Sequence, residues 1–292
     1  MRFVRFSRGG EEWLGIEEGQ GIHGLPLSHR SYPGSLDDLV RSGPEAFARA
    51  SAALRAGIAV SGAGMAYLPP FARAQKIICV GLNYADHSAE SGFTTPDYPT
   101  LFGRFNSSLI GHEAPMIRPD QSDTLDFEGE LVAVIGREGR RIPHAEALSH
   151  VAGYSIFNDG SVREYQFKAP QWTVGKNFDG TGAFGPVFVT SDELPAGCRG
   201  LRLDTRLNGE VVQSASTDDL VFSVADLVSI ISEAITLEAG DVIVTGTPSG
   251  VGHARSPKLY MKPGDICEVS IEKIGTLRNV VRDEGEVLRA VA

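Results

Sequence analysis

Cysteine is scarce in this chain. Cys79, Cys198 and Cys267 are the only three among 292 residues, odd in number, far apart and outside any Cys-x-x-Cys pattern. That speaks against a disulfide framework or a thiolate zinc site and suits small core residues of a cytoplasmic protein. Long apolar runs are missing too, so no membrane span is expected, and the polar start Met1-Arg2-Phe3-Val4-Arg5-Phe6-Ser7-Arg8 lacks a signal-peptide core. Basic charge is in short supply: 27 Lys and Arg against 37 Asp and Glu leave a net charge of −10. Nucleic acid is therefore not an expected partner. A small anionic substrate would need local help from a cation or from buried bases. Internal repeats and low-complexity stretches are absent as well.

What is present is a core. Hydrophobic residues make up 42% of the chain, enough for one large domain, or one large and one small. The first seventy residues read as a small α/β unit. Gly9-Gly10 and Glu17-Glu18-Gly19 punctuate short strands, and Ser35 suits the cap of a short helix through Val40. Pro44 opens a longer helix with Phe47, Ala50 and Leu54 on one face and Gly57 as its stop. Leu68-Pro69-Pro70 reads as the linker to a domain spanning 71–292. There the pattern becomes strand-rich: 76–80, 151–157, 201–207 with Asn208-Gly209 as a hairpin turn, 242–244 and 267–271. One helix stands out, with Val224, Leu227, Val228, Ile231 and Ile235 at helical spacing behind a Ser223/Asp226 capping box. The expected fold class is α+β, mostly β.

The chemistry centres on Asp126-Phe127-Glu128-Gly129-Glu130-Leu131-Val132-Ala133-Val134-Ile135-Gly136. On a strand, alternate side chains share a face, so Phe127 and Leu131 point one way and both glutamates the other. Adjacent carboxylates repel, and burying them is costly unless a cation neutralises them. A hard divalent ion such as Mg²⁺ suits them; a solvated acidic face on an edge strand is the plainer alternative. Asp159, before Gly160 at a strand end, could supply a third carboxylate.

Other residues stand out by context. His87 and Glu90 sit three apart after Tyr84, where a helical turn would put a carboxylate beside an imidazole and support it as a base. Lys176 lies among apolar and glycine residues and could stabilise a carboxylate or a developing enolate. The glycine-rich turn Val244-Thr245-Gly246-Thr247-Pro248-Ser249-Gly250-Val251-Gly252 reads as a wall offering a hydroxyl and backbone N–H groups.

In order along the chain, the segments 83–90, 126–136 and 157–160, Lys176 and 245–252 resemble the fumarylacetoacetate hydrolase superfamily over about residues 76–282. The resemblance implies a mixed β-roll catalytic domain behind a small N-terminal domain, paired as a homodimer. It implies Mg²⁺ or Mn²⁺ on Glu128, Glu130 and Asp159, and a water-activating dyad of His87 and Glu90 on a lid. Gln166, Lys176 and Thr247 match substrate-contacting positions, and Tyr84 belongs to the same matching segment. Two departures concern the substrate: Leu82 stands where many relatives have arginine, and Arg104 stands near a common lysine, where a guanidinium could clamp a carboxylate. The implied reaction is hydrolytic cleavage of a carbon–carbon bond in a 2,4-dioxo acid, such as fumarylpyruvate, maleylpyruvate or a diketo-deoxy sugar acid. Decarboxylation of an oxaloacetate-like acid is the alternative within the family, and a non-catalytic metal-bound protein the alternative outside it.

Overall fold

The computed structural model describes residues 1–19, 21–62, 64–86 and 97–291. The apolar run after the two glutamates forms the strand Gly129–Ile135, buried over its whole length. It is central because its neighbours are as apolar as it is. It pairs antiparallel with Val151–Asp159 on one side and Val242–Val244 on the other. These strands lie in a sheet of twelve strands among the described residues. Its main path runs Ile58–Val60, Gly21–Pro26, Glu11–Glu18, Arg2–Arg8, Gly182–Thr190, Val151–Asp159, Gly129–Ile135, Val242–Val244, Ile77–Gly81 and Thr100–Arg104. The first seventy residues supply one edge of this sheet, because Arg2–Arg8 pairs with Gly182–Thr190 through Phe3 opposite Phe188. A second sheet of five strands contains the expected hairpin, Arg202–Leu207 with Glu210–Ser216, together with Ile266–Ile271.

Alternation along Gly129–Ile135 divides the interior in two. Leu131, Ala133 and Ile135, with Phe127 before them, belong to a core shared with Leu203, Val269 and Leu277 of the second sheet and with Leu227, Val228 and Ile231. Val132 and Val134 face the other core, with Phe157, Cys79 and the helix residues Leu39, Phe47 and Leu54. Each such buried side chain contributes about 1.5–3 kcal/mol relative to leaving it exposed. The result is helices over sheet over sheet, which matches the mostly-β expectation.

The helices begin where capping chemistry places them. Leu36–Arg41 follows Ser35, whose side chain and that of Asp38 form a reciprocal box, and Val224–Ala234 follows Ser223 and Asp226 in the same arrangement. Pro44–Arg55 ends just before Gly57, where an added Cβ would sit 2.7 Å from the Gly24 carbonyl oxygen and 2.8 Å from that of Leu54. All three cysteines are free and buried. Among the described residues, no helix is long and apolar enough to cross a membrane.

Candidate metal centre

Strand register brings the three carboxylates together. Gly129 lies opposite Asn158 and Glu130 opposite Phe157, and the Asp159 N–H donates to the Glu128 carbonyl at 2.8 Å. Glu128, Glu130 and Asp159 therefore share one sheet face, and each offers an oxygen within 4.8 Å of the others. The intervening residue must be small. A Cβ on Gly129 would lie 2.2 Å from Thr205 Oγ1 of the second sheet. All three carboxylates are buried, at 4%, 2% and 0% exposure.

Three cations surround them. Lys176 Nζ lies 2.6 Å from Glu128 Oε2 and 2.7 Å from Asp159 Oδ2. Arg163 reaches three partners: Nη2 is 2.6 Å from Glu128 Oε1, Nε donates to Asp126 Oδ2 at 2.8 Å, and Nη1 donates to Gln166 Oε1 at 2.9 Å. Arg104 pairs with Asp159 from behind and donates to Thr181 Oγ1 at 2.7 Å. Glu130 accepts the Gly246 N–H but has no lysine or arginine partner among the described residues. Burial, then Asp159 and Glu128, push its carboxyl well above the usual range, against Lys176 and the Gly246 amide. Burial alone would lower Lys176, but Asp159 and Glu128 reverse this, so its net shift is upward and it stays an ammonium.

With Asp126 counted, four carboxylates face three cations in this cluster among the described residues, a formal excess of one negative charge that agrees with the raised Glu130 carboxyl. The donor set is all hard oxygen, buried and short of positive charge. It fits a hard divalent cation, with Glu128, Glu130 and Asp159 as the residues that would hold the ion.

Beside the triad opens a cavity of about 430 Å³. Glu128, Glu130, Lys176, Arg163 and Gln166 line its polar side, and Val80, Phe102, Trp172 and Val251 its apolar side. Residues 76–282 match the family model for fumarylacetoacetate (FAA) hydrolase, C-terminal. The chain belongs to this family. Over 92% of its length it is 37% identical to the mitochondrial oxaloacetate tautomerase FAHD2A of Homo sapiens, and covers 87% of that protein. Its structure superposes on fumarylacetoacetate hydrolase from Exiguobacterium antarcticum with a TM-score of 0.86 at 37% identity, covering 97% of this chain and 100% of the other. Maleylpyruvate hydrolase from Sphingobium sp. SYK-6 gives a TM-score of 0.80 at 26% identity, with the same coverage.

The other residues singled out within the fumarylacetoacetate hydrolase pattern fall in three groups. Lys176, Gln166 and Thr247 line the cavity with Glu128 and Glu130. The Thr247 hydroxyl is committed, since it donates to the Gly129 carbonyl at 3.0 Å and accepts from Gln213 at 2.8 Å. Arg104 and Tyr84 do not reach the lining. Arg104 is 3% exposed and pairs with the chain's own Asp159, a triad carboxylate. Tyr84 is buried beside a backbone bridge to Leu220, and burial, then Glu130 and Asp219, raise its phenol. His87 and Glu90 lie outside the described residues.

Sequence reasoning missed Asp126, Arg163 and Trp172. Asp126 is fully buried and accepts from the Gly252 and His253 amides at 2.8 and 2.9 Å, as well as from Arg163. It thus ties the glycine-rich turn to the strand that carries the glutamates. An Asp two residues before the first of the paired glutamates was the available signal. Nothing local to Val162-Arg163-Glu164 marked the arginine.

Proposed function

We propose that this chain moves a proton at carbon 3 of a short 2-oxo acid, through an enolate, as an enol–keto tautomerase of oxaloacetate-type acids. The observation that carries the reading is Lys176, a buried ammonium on the cavity wall, 2.6 and 2.7 Å from two carboxylates of the triad. When bound at Glu128, Glu130 and Asp159, a divalent cation supplies Lewis acidity to the 2-oxo group. Lys176 adds fixed positive charge beside the developing enolate oxygen, in a site where no dipoles need reorganise at the moment of reaction. Arg163 holds both Glu128 and the Gln166 amide, so ligand and substrate-facing side chain keep one geometry. Phe102 and Trp172, packed edge to face at 5.4 Å, keep water from the apolar side. The relatives named oxaloacetate tautomerase, similar over nearly the whole chain, favour tautomerisation as the overall reaction.

Hydrolytic cleavage of a 2,4-dioxo acid is the second reading. The cavity of about 430 Å³ has room for more than a four-carbon acid, and maleylpyruvate hydrolase shares the fold. Both reactions pass through an enolate. They differ in whether the His87/Glu90 dyad handles a proton at carbon 3 or at water.

The test uses the protein loaded with Mg²⁺ or Mn²⁺. Ketonisation of enol-oxaloacetate, release of carbon dioxide from oxaloacetate and cleavage of an acylpyruvate panel are followed side by side. The expected result is metal-dependent ketonisation that chelation abolishes. Faster acylpyruvate cleavage would instead select hydrolysis, and no turnover of any compound would return the protein to the non-catalytic reading. Pairing into a homodimer, the family arrangement, belongs to the same proposal and is read by sedimentation.

A further inference from the structure

One wall of the cavity is built from a loop with its own side-chain chemistry. His253 lines the cavity that Glu128, Glu130 and Lys176 also line. Its position is fixed from both sides. The His253 and Gly252 amides donate to Asp126, and the chain then doubles back so closely that a Cβ on Gly252 would lie 1.7 Å from the Leu259 carbonyl oxygen. The Leu259 N–H closes that turn on the Gly252 carbonyl at 3.0 Å. This reversal sets Lys258 and Tyr260 beside the imidazole.

The hydrogen bonding of that group is asymmetric. Tyr260 Oη lies 2.7 Å from His253 Nδ1. Burial, then Asp126, raise the Tyr260 phenol against Arg163, so it keeps its proton and can donate it to Nδ1. The neutral ring then carries its own proton on Nε2. Lys258 Nζ stands 3.3 Å from Nδ1 and 3.5 Å from Nε2, and it forms no ion pair among the described residues. Two donors, Nε2–H and the ammonium, thus adjoin with no acceptor shared between them, and Phe167 packs at 5.2 Å on the imidazole ring. Among the described residues, no carboxylate bridges the ammonium and the ring.

We propose that His253 and Lys258 form a distal anion subsite that receives the carboxylate at the end of the substrate remote from the metal, so that the chain prefers 2-oxo dicarboxylates over 2-oxo monocarboxylates. The inference rests on the proposed 2-oxo acid chemistry and narrows its substrate class. It also gives Leu82 a meaning: the cavity wall at that position is apolar, and the positive charge for the far carboxylate comes from the loop that carries His253 and Lys258. A carboxylate bridging imidazole and ammonium makes charge-assisted hydrogen bonds, stronger than those between neutral groups.

The test is calorimetry on the Mg²⁺-loaded full chain with three probes: oxalate, which reaches only the metal end, and the five-carbon pair 2-oxoglutarate and 2-oxopentanoate, which differ in the terminal carboxylate. The expected result is oxalate binding and a diacid preference of about tenfold, the order of one charge-assisted hydrogen bond. Lys258→Met and His253→Gln should each cut that ratio severalfold. A merely structural role would weaken both acids alike and leave the ratio intact. Equal affinity of wild-type protein for the two acids, or an unchanged ratio in both variants, overturns the subsite while oxalate binding leaves the metal-held acid standing. Failure to bind oxalate overturns both.

Discussion

Lys176 Nζ lies 2.6 Å from Glu128 Oε2, so a carboxylate oxygen in reach of a metal also faces the ammonium that would steady an enolate. One buried charge therefore serves the metal-free fold and the reaction. Lys176→Met takes a buried cation from both Glu128 and Asp159, which keep their pairs with Arg163 and Arg104 respectively. Breaking a buried pair from one side costs about 3–5 kcal/mol. Urea unfolding of the variant in chelator should show a loss of that order, partly restored by Mg²⁺, with turnover down about 10²–10³-fold even when loaded. Unchanged stability in chelator would mean the lysine is solvated.

The two glutamates should respond differently to neutralisation. Glu128 holds Lys176 and Arg163, so Glu128→Gln leaves each buried cation one carboxylate short, Lys176 with Asp159 and Arg163 with Asp126, and should destabilise the metal-free protein. Glu130 has no such partner among the described residues, and its carboxyl is pushed up by burial and by its acidic neighbours. Glu130→Gln should therefore leave the metal-free protein as stable or more so, while Mg²⁺ affinity falls. Thermal unfolding with and without Mg²⁺ checks the pair, and equal destabilisation by both changes would contradict the arrangement.

Gly81 makes room for Trp172. A Cβ there would lie 2.4 Å from Cζ3 and 2.9 Å from Cη2 of the indole, which must swing toward the cavity or away from Phe102. Gly81→Ala should cost about 1–3 kcal/mol of stability and raise KM. The chain has two tryptophans, so in a Trp13→Phe background the emission reports Trp172 directly. An unmoved spectrum with unchanged KM would refute the packing argument.

His112 governs part of the acid response. Its Nδ1 accepts the Arg278 N–H at 3.0 Å, and its ring meets Tyr67 edge-on at 4.6 Å. Burial lowers its pKa below the ordinary 6.5, with Glu113 opposing and Arg278 reinforcing. The unfolded chain then binds its proton first as pH falls. Stability is full above 6.5, declines between 6.5 and the lower folded value, and levels off beneath it. His112→Gln should flatten that limb in pH-dependent urea titrations, and an identical slope in wild type and variant would assign it elsewhere.

Much of this was readable in the chain. The run after Glu130 gave the central strand, alternation put both glutamates on one face, and the boxes at Ser35 and Ser223 marked helix starts. Local patterns suffice where the cause is local. The pairing of Arg104 with Asp159 was not legible, because the two lie 55 positions apart and nothing local to Arg104 points to it. Arg163 and Asp126 escaped notice for the same reason, being joined across 37 positions. The place of Arg2–Arg8 inside the large sheet was equally hidden, since pairing with Gly182–Thr190 is a long-range choice made by packing.

The central claim is that a metal held by Glu128, Glu130 and Asp159 lets this cavity form an enolate of a 2-oxo acid. Deuterium incorporation at carbon 3 of 2-oxoglutarate in D₂O, followed by proton NMR, measures that step without requiring any bond cleavage. Mg²⁺-loaded wild-type protein should accelerate exchange well above the metal-only rate, and chelator or Glu130→Gln should return it to background. Exchange that persists undiminished under both treatments, or none in the loaded wild type, would contradict the account.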